Sequence, residues 1–157
     1  MDIQLRKCEA KDIPLLVELF RSTVWTINAQ DYTQEQLEAW APDSIDWSAS
    51  SWQSLLSTNS YVATHADKIV GFANMTNQGY IDFFYVDHRS IRKGVGHALY
   101  TALENVASEK GLTKLTTESS ITARPFFEKQ GFTVIKKREV KRKQIFIERL
   151  VMEKALG

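Results

Sequence analysis

Tyr80 to Gly96, YIDFFYVDHRSIRKGVG, is the stretch whose reading decides the fold. Its first seven residues are apolar and aromatic apart from Asp82, a composition suited to a buried strand. A basic turn through Arg92, Lys93, Gly94, Val95 and Gly96 then enters HALYTALENVASEK, where Ala98, Leu99, Ala102, Leu103, Val106 and Ala107 recur at helical spacing. The first turn of such a helix leaves backbone N–H groups without an internal partner, and the two glycines let an anion approach the main chain. Strand, loop and helix together predict a cradle for a pyrophosphate.

Upstream, Ile3 to Lys7 alternates as a half-buried strand. Asp12 is placed to cap a helix whose apolar face is Ile13, Leu15, Leu16, Leu19, Phe20 and Val24. Thr33 and Gln36 have capping-box spacing, which predicts a short helix carrying Leu37 and Trp40 up to the Ala41-Pro42 break. A third helical segment is expected from Asp46 through Leu56, its signal diluted by serines. Tyr61 to His65 and Ile69 to Thr76 read as a hairpin, and Asn77-Gln78-Gly79 turns into the Tyr80 strand.

Downstream, Gly111 ends the long helix and Leu112 to Thr117 reads as a strand. A helix separates it from the Tyr80 strand, so the two should lie parallel. A short helix closed by Gly131 follows, then a hairpin of Phe132 to Val140 and Gln144 to Glu153. The pattern predicts one α/β (α+β) domain over residues 1–157, with a mixed, mostly antiparallel sheet of about 6–7 strands flanked by helices.

A chain of 157 residues with 43% hydrophobic content can bury one sizeable core. A net charge of +1 gives no global argument for a nucleic-acid or membrane-surface partner. The basic run Lys136, Lys137, Arg138, Lys141, Arg142 and Lys143, interrupted by Glu139, reads as the solvated face of a hairpin. The single cysteine, Cys8, cannot close an internal disulfide, and no run of about 18 apolar residues occurs. A cytoplasmic protein is expected. His65, His88 and His97 show no ligand spacing, so no metal is expected.

Val86-Asp87-His88-Arg89-Ser90-Ile91-Arg92-Lys93-Gly94-Val95-Gly96, with Ser120-Ile121-Thr122-Ala123-Arg124-Pro125-Phe126-Phe127-Glu128-Lys129-Gln130-Gly131-Phe132 further on, resembles the acetyl-CoA-binding core of the GNAT N-acetyltransferases. ITARPFFEK, the Tyr32 to Pro42 segment and the closing Val-Met-Glu-Lys further resemble a bacterial YafP-like subgroup. The resemblance implies the GNAT acyl-CoA N-acyltransferase fold and acetyl transfer from acetyl-CoA to an amine-bearing acceptor, a small molecule or a protein. A homodimer is one arrangement open to it. The resemblance assigns the pantetheine arm of the co-substrate to Phe84, Tyr85 and Val86, and the pyrophosphate to Ile91, Arg92, Lys93, Gly94, Val95, Gly96 and His97. Ser120 stands where relatives often hold the pantetheine with Asn, and Phe126 or Phe127 would pack against it.

Two departures matter. Arg92 stands where the family commonly has glycine, and Phe127 where many relatives have a tyrosine that protonates the leaving thiolate. An amine of pKa about 10.4 is almost wholly protonated at neutral pH, whereas a thiol of pKa about 8.5 leaves with less help, so a base matters more than the missing acid. Asp82, the one charged side chain in an aromatic strand, reads either as that base or as a solvated strand residue; Glu118 is the second candidate. Trp25, Tyr32, Trp40, Trp47 and Trp52 lie where relatives build the acceptor wall, and each equally suits ordinary core; Trp25 and Tyr32 are the chosen candidates. Phe127 keeps a second expectation open, a CoA-binding sensor or partner-binding module without efficient turnover. Neither the P-loop nor the dinucleotide-binding glycine spacing occurs.

Overall fold

The structure, a computed structural model, describes residues 1–157. Strand β1 (Gln4–Lys7) precedes helices α1 (Ile13–Thr26), α2 (Gln34–Trp40) and the single turn α3 (Ser50–Gln53). Strands β2 (Asn59–His65), β3 (Lys68–Met75) and β4 (Tyr80–Val86) follow, then α4 (Val95–Glu109), β5 (Lys114–Ser119), α5 (Arg124–Lys129), β6 (Thr133–Arg142) and β7 (Ile145–Ala155). The strands form one seven-stranded sheet in the order β1-β2-β3-β4-β5-β7-β6. Only β4 and β5 run parallel, as the intervening helix α4 requires.

Local chemistry sets several boundaries. The Thr33–Gln36 capping box is present in both directions, Gln36 N to Thr33 Oγ1 at 3.1 Å and Thr33 N to Gln36 Oε1 at 2.9 Å. The β2–β3 connection turns on Ala66 and Asp67, both with positive φ (50° and 64°), the geometry of a two-residue hairpin turn. Gly111 at φ 71° closes α4, and Leu112 N reaches back to Ala107 O at 3.0 Å. That closure consumes Leu112, so β5 begins at Lys114 rather than at Leu112.

Other expectations are corrected. Asp12 precedes α1 but caps nothing there with its side chain. Its carboxylate takes both Arg6 terminal nitrogens, at 2.8 and 2.9 Å, and Glu9 N at 2.8 Å, tying β1 to the helix entry. Leu15 is 54% exposed and outside the core face. The segment from Asp46 is not one helix: Asp46 Oδ1 accepts from Ser48 N and Oγ, and only α3 and a 3-10 turn at Ser54–Leu56 form.

The sheet separates two apolar layers. On one side Met75, Ile81, Leu115 and Met152 pack with Val95, Leu99 and Leu103 of α4 and Phe127 of α5. On the other, Val62, Phe72 and Ile147 pack with Ile13, Leu16, Phe20 and Val24 of α1 and with Trp52. Gly71 brings α4 close to β3, since a Cβ there would lie 2.9 Å from Val95 Cγ1. This contact fixes the α4 N-terminus beside the end of β4.

Candidate active site

The registered partners of β4 and β5 are Tyr80↔Thr116 and Ile81↔Thr117 alone. Past them β5 stays paired with β7 as far as Ser119↔Leu150, while β4 stays paired with β3. The sheet therefore opens as a V, with the β4 main chain from Asp82 to Val86 unpaired in the sheet on its β5 side. A bulge accompanies the opening. The β3–β4 partners step from Met75↔Ile81 to Ala73↔Phe84, so β4 carries one residue more than β3 across the interval. The displaced Phe83 N donates to Asn74 Oδ1 at 2.7 Å, and Asn74 Nδ2 donates to Thr58 Oγ1 at 2.9 Å.

The bulge sorts the β4 side chains. Ile81, Phe84 and Val86 pack on the α4 side, Phe83 and Tyr85 on the α1 side. Asp82, next to Ile81, points to the α1 side by strand alternation. At the far end of β4, Asp87 accepts from Arg89 N at 3.0 Å and starts a 3-10 turn. Arg92 then takes φ 60° and Gly94 φ 88° before α4 begins. Gly94 O accepts from Ala98 N, whereas no main-chain partner is found for the N–H groups of Val95, Gly96 and His97. Arg92, Lys93 and His97 surround them, exposed to solvent.

Two carboxylates stand at the apex of the V. Asp82 is one residue past the last β4–β5 partner and makes no ion pair; Glu118, one residue past its own, is bonded by Arg138 Nη1 at 2.8 Å. Asp82 is exposed to solvent, yet desolvation by the groups packed around it holds its carboxyl above the usual range, with Arg149 opposing and Glu118 adding to the effect. Burial first, then Glu118 and Asp82, pushes the Tyr80 phenol up to about 12. This end of the V holds a carboxylate shifted upward, and the other a helix start preceded by the exposed Arg92 and Lys93.

An acetyltransferase (GNAT) domain matches residues 28–156. The chain belongs to the GNAT family and is an N-acetyltransferase. It is 36% identical over 140 residues to the uncharacterized N-acetyltransferase YafP of Escherichia coli (strain K12), covering 88% of this chain and 87% of that one. A GCN5-related N-acetyltransferase structure from Rhodopseudomonas palustris superimposes with a TM-score of 0.91 at 28% identity, over 99% of this chain and 97% of that one. The PaiA N-acetyltransferase of Thermoplasma acidophilum, solved in complex with coenzyme A, shares the fold at a TM-score of 0.80 and 19% identity, over 99% and 100% of the two chains.

The remaining sequence candidates fall in several places within this GNAT fold. Ile91, Arg92, Lys93, Gly94, Val95, Gly96 and His97 form the turn and the start of α4, with Val95 buried and Ile91 exposed. Gly96 serves packing as well: a Cβ there would lie 3.0 Å from Phe126 Cε1. Phe126, half-buried and 5.1 Å from the Phe84 ring, closes α5 against the V. Phe127 is instead core, 3% exposed, so of the two rings Phe126 is the one left at the cleft. Ser120 Oγ accepts from Ala123 N at 3.0 Å and shapes the turn into α5.

The two acceptor-wall candidates lie apart from each other. Tyr32 is 7% exposed; its hydroxyl donates to Glu148 O at 2.8 Å and accepts from Ile121 N at 2.9 Å. It pins the entry of α2 to β7 and to the β5–α5 turn, with its hydroxyl fully engaged. Trp25 donates Nε1 to Ala41 O at 2.7 Å and lines a separate groove with Glu35, Glu38, Lys143 and Ile145, which no β4 residue reaches. Sequence reading missed Asn74, Tyr80 and Arg149. Arg149 had a usable signal, as a lone cation between apolar residues in IFIERLVM.

Proposed function

We propose that this N-acetyltransferase moves the acetyl group of acetyl-CoA to a primary amine by direct attack in a ternary complex, with Asp82 as general base. The observation that carries the reading is the position of Asp82, unpaired and held toward its protonated form, at the first residue where β4 leaves β5. The residues fit the co-substrate. The free edge of β4 from Phe84 to Val86 offers main-chain groups to the amides of a pantetheine arm, as an added strand would take them. The N–H groups of Val95, Gly96 and His97, with Arg92 and Lys93, suit its phosphates.

An acceptor ammonium of pKa about 10.4 must lose a proton before it can attack. Asp82 takes that proton, directly or through one water. The amine nitrogen bonds to the thioester carbonyl carbon, the C–S bond breaks, and the nitrogen's remaining surplus proton leaves to solvent. Glu118 is less suited to be the base because Arg138 already occupies it. The departing thiolate takes its proton from solvent, since Phe127 has none to give. An acyl-cysteine route is disfavoured: burial, then the Asp12 charge, pushes the Cys8 thiol up to about 11, leaving almost no thiolate at neutral pH.

The test is acetyl-CoA titration by calorimetry, followed by thiol release across a panel of primary amines. Saturable binding and amine-dependent release are expected. Absence of binding at saturating acetyl-CoA would overturn the reading.

A further inference from the structure

Arg149 occupies the acceptor side of the V. On β7 it alternates with Ile147, which is buried in the α1-side layer, while Leu150 and Met152 lie in the α4-side layer. It sits one residue beyond the last β5–β7 partner, Ser119↔Leu150, as Asp82 sits one beyond the last β4–β5 partner. Its charge opposes the upward shifts of Asp82, Tyr80, Tyr32 and Tyr85. Asp82, the one carboxylate among them, makes no ion pair with it.

The guanidinium is fixed yet unused. It lies over the Trp40 ring at 5.1 Å, and Tyr32 meets that ring edge-on at 5.2 Å. Its Nε is sealed from solvent with no hydrogen-bond partner, and the half-buried side chain makes no hydrogen bond or ion pair within the protein. Across the β6–β7 pair it faces Arg138, and like charges in that relation repel. Arg138 is relieved by Glu118 at 2.8 Å; Arg149 has no such partner. A planar, pre-oriented fork next to the acceptor position matches a carboxylate.

We infer that Arg149 selects an acceptor that carries a carboxylate beside its primary amine, as an amino acid does. The carboxylate takes the terminal nitrogens of Arg149 and directs the amine toward Asp82. This rests on the acetyl-transfer reading above. A diamine is a poor fit, because its second ammonium would face Arg149 while Glu118 is already neutralised.

The experiment measures kcat/KM for thiol release at saturating acetyl-CoA, with amino acids paired against their carboxamides and with a diamine. For the best pair, the carboxylate form is expected to exceed the amide by about tenfold or more, the scale of a charge-assisted bond. In Arg149→Met, which keeps an apolar contact with Trp40, the ratio falls to about twofold or less while KM for acetyl-CoA holds; Arg149→Lys retains part of the preference. A wild-type amide or diamine turning over as well as the carboxylate form overturns the inference, as does a preference that survives in Arg149→Met. If acetyl-CoA binds but no amine releases thiol, the acetyl-transfer reading fails and takes this one with it. Should Arg149→Met fail to bind acetyl-CoA, the wild-type ratio decides alone.

Discussion

Phe83 N and Asn74 Oδ1 lie 2.7 Å apart, a side chain of β3 standing in for the main-chain partner that the β4 bulge displaces. Asn74 is 0% exposed and hands its amide on to Thr58 Oγ1, so the bulge is held by a buried relay.

Asn74→Ala leaves the Phe83 N–H without a partner at a buried site. The expected cost is about 2–3 kcal/mol, from one unsatisfied donor and a small cavity. Because the bulge also aims Asp82, kcat/KM should fall more than acetyl-CoA affinity does. Urea denaturation and steady-state kinetics on the same preparation check both; a loss below about 0.5 kcal/mol would show that the bulge holds itself.

The Arg6–Asp12 pair predicts an acid-labile step in stability. Hydrogen bonding from Arg6 first, and from Glu9 N, holds Asp12 below its ordinary value against the opposing effect of burial. A depressed carboxyl contributes stability above its unfolded pKa of about 3.9 and loses it as pH falls through the folded value. Asp12→Ala should therefore cost about 2–3 kcal/mol at neutral pH, with the gap to wild type closing below about pH 3.9. Denaturant melts at a series of pH values test this, and a gap independent of pH would assign the loss to packing.

Phe127 tests whether the leaving group needs an acid. Its ring meets Phe84, Phe126 and Phe132 at centroid distances of 5.5, 5.4 and 5.3 Å. Phe127→Ala should cost about 3–5 kcal/mol as a core deletion. Phe127→Tyr restores the hydroxyl common among relatives; since a thiolate of pKa about 8.5 departs without much help, kcat/KM should change by about threefold or less. A rise above about tenfold would mean that thiolate departure limits the reaction.

The order of elements and the pairing of neighbouring strands were legible because their signals are local and strong, whereas the placing of β1 beside β2 and of β7 between β5 and β6 was not. Apolar runs, with alternation in Ile3–Lys7, marked the strands, Gly79 and Gly111 their boundaries, and the helical periodicity after Gly96 fixed the parallel β4–β5 pair. What sequence could not carry was partnership across the fold. Asp82 was preferred to Glu118 on its aromatic neighbours alone, and the Arg138 that holds Glu118 and not Asp82 sits on another strand. Tyr32 read equally as acceptor wall or as core, and only the third dimension supplied Glu148 O and Ile121 N as partners of its hydroxyl. The bulge is invisible because it depends on which β3 residue faces which β4 residue, and Asn74 carries no pattern of its own.

Arg92 holds a left-handed conformation, φ 60°, where glycine would carry no penalty. Arg92→Gly relieves that strain but widens the unfolded ensemble, so a net gain of about 0.5–1 kcal/mol is expected in the free protein. The same change removes a charge from the rim of the α4 start. Acetyl-CoA affinity should fall a few-fold at low salt, and the difference should shrink as ionic strength rises. Calorimetry at two salt concentrations separates the effects, and a salt-independent difference would remove Arg92 from phosphate binding.

Asp82 predicts opposite effects on activity and stability. Burial, chiefly, raises its carboxyl above the ordinary value, so the folded chain binds this proton more tightly than the unfolded chain does. The sign follows: the stabilising contribution is complete below the unfolded pKa of about 3.9 and is lost as pH rises through the folded value. At neutral pH the ionised side chain therefore opposes folding, and Asp82→Asn should raise the melting temperature there, a gain that vanishes in acid. The same variant should lower kcat/KM by about 10²–10⁴ and remove its acid limb, with acetyl-CoA affinity near wild type. A carboxylate kept only for structure would behave in reverse, its loss lowering the melting temperature at neutral pH and leaving turnover intact, so one variant measured both ways decides what Asp82 is for.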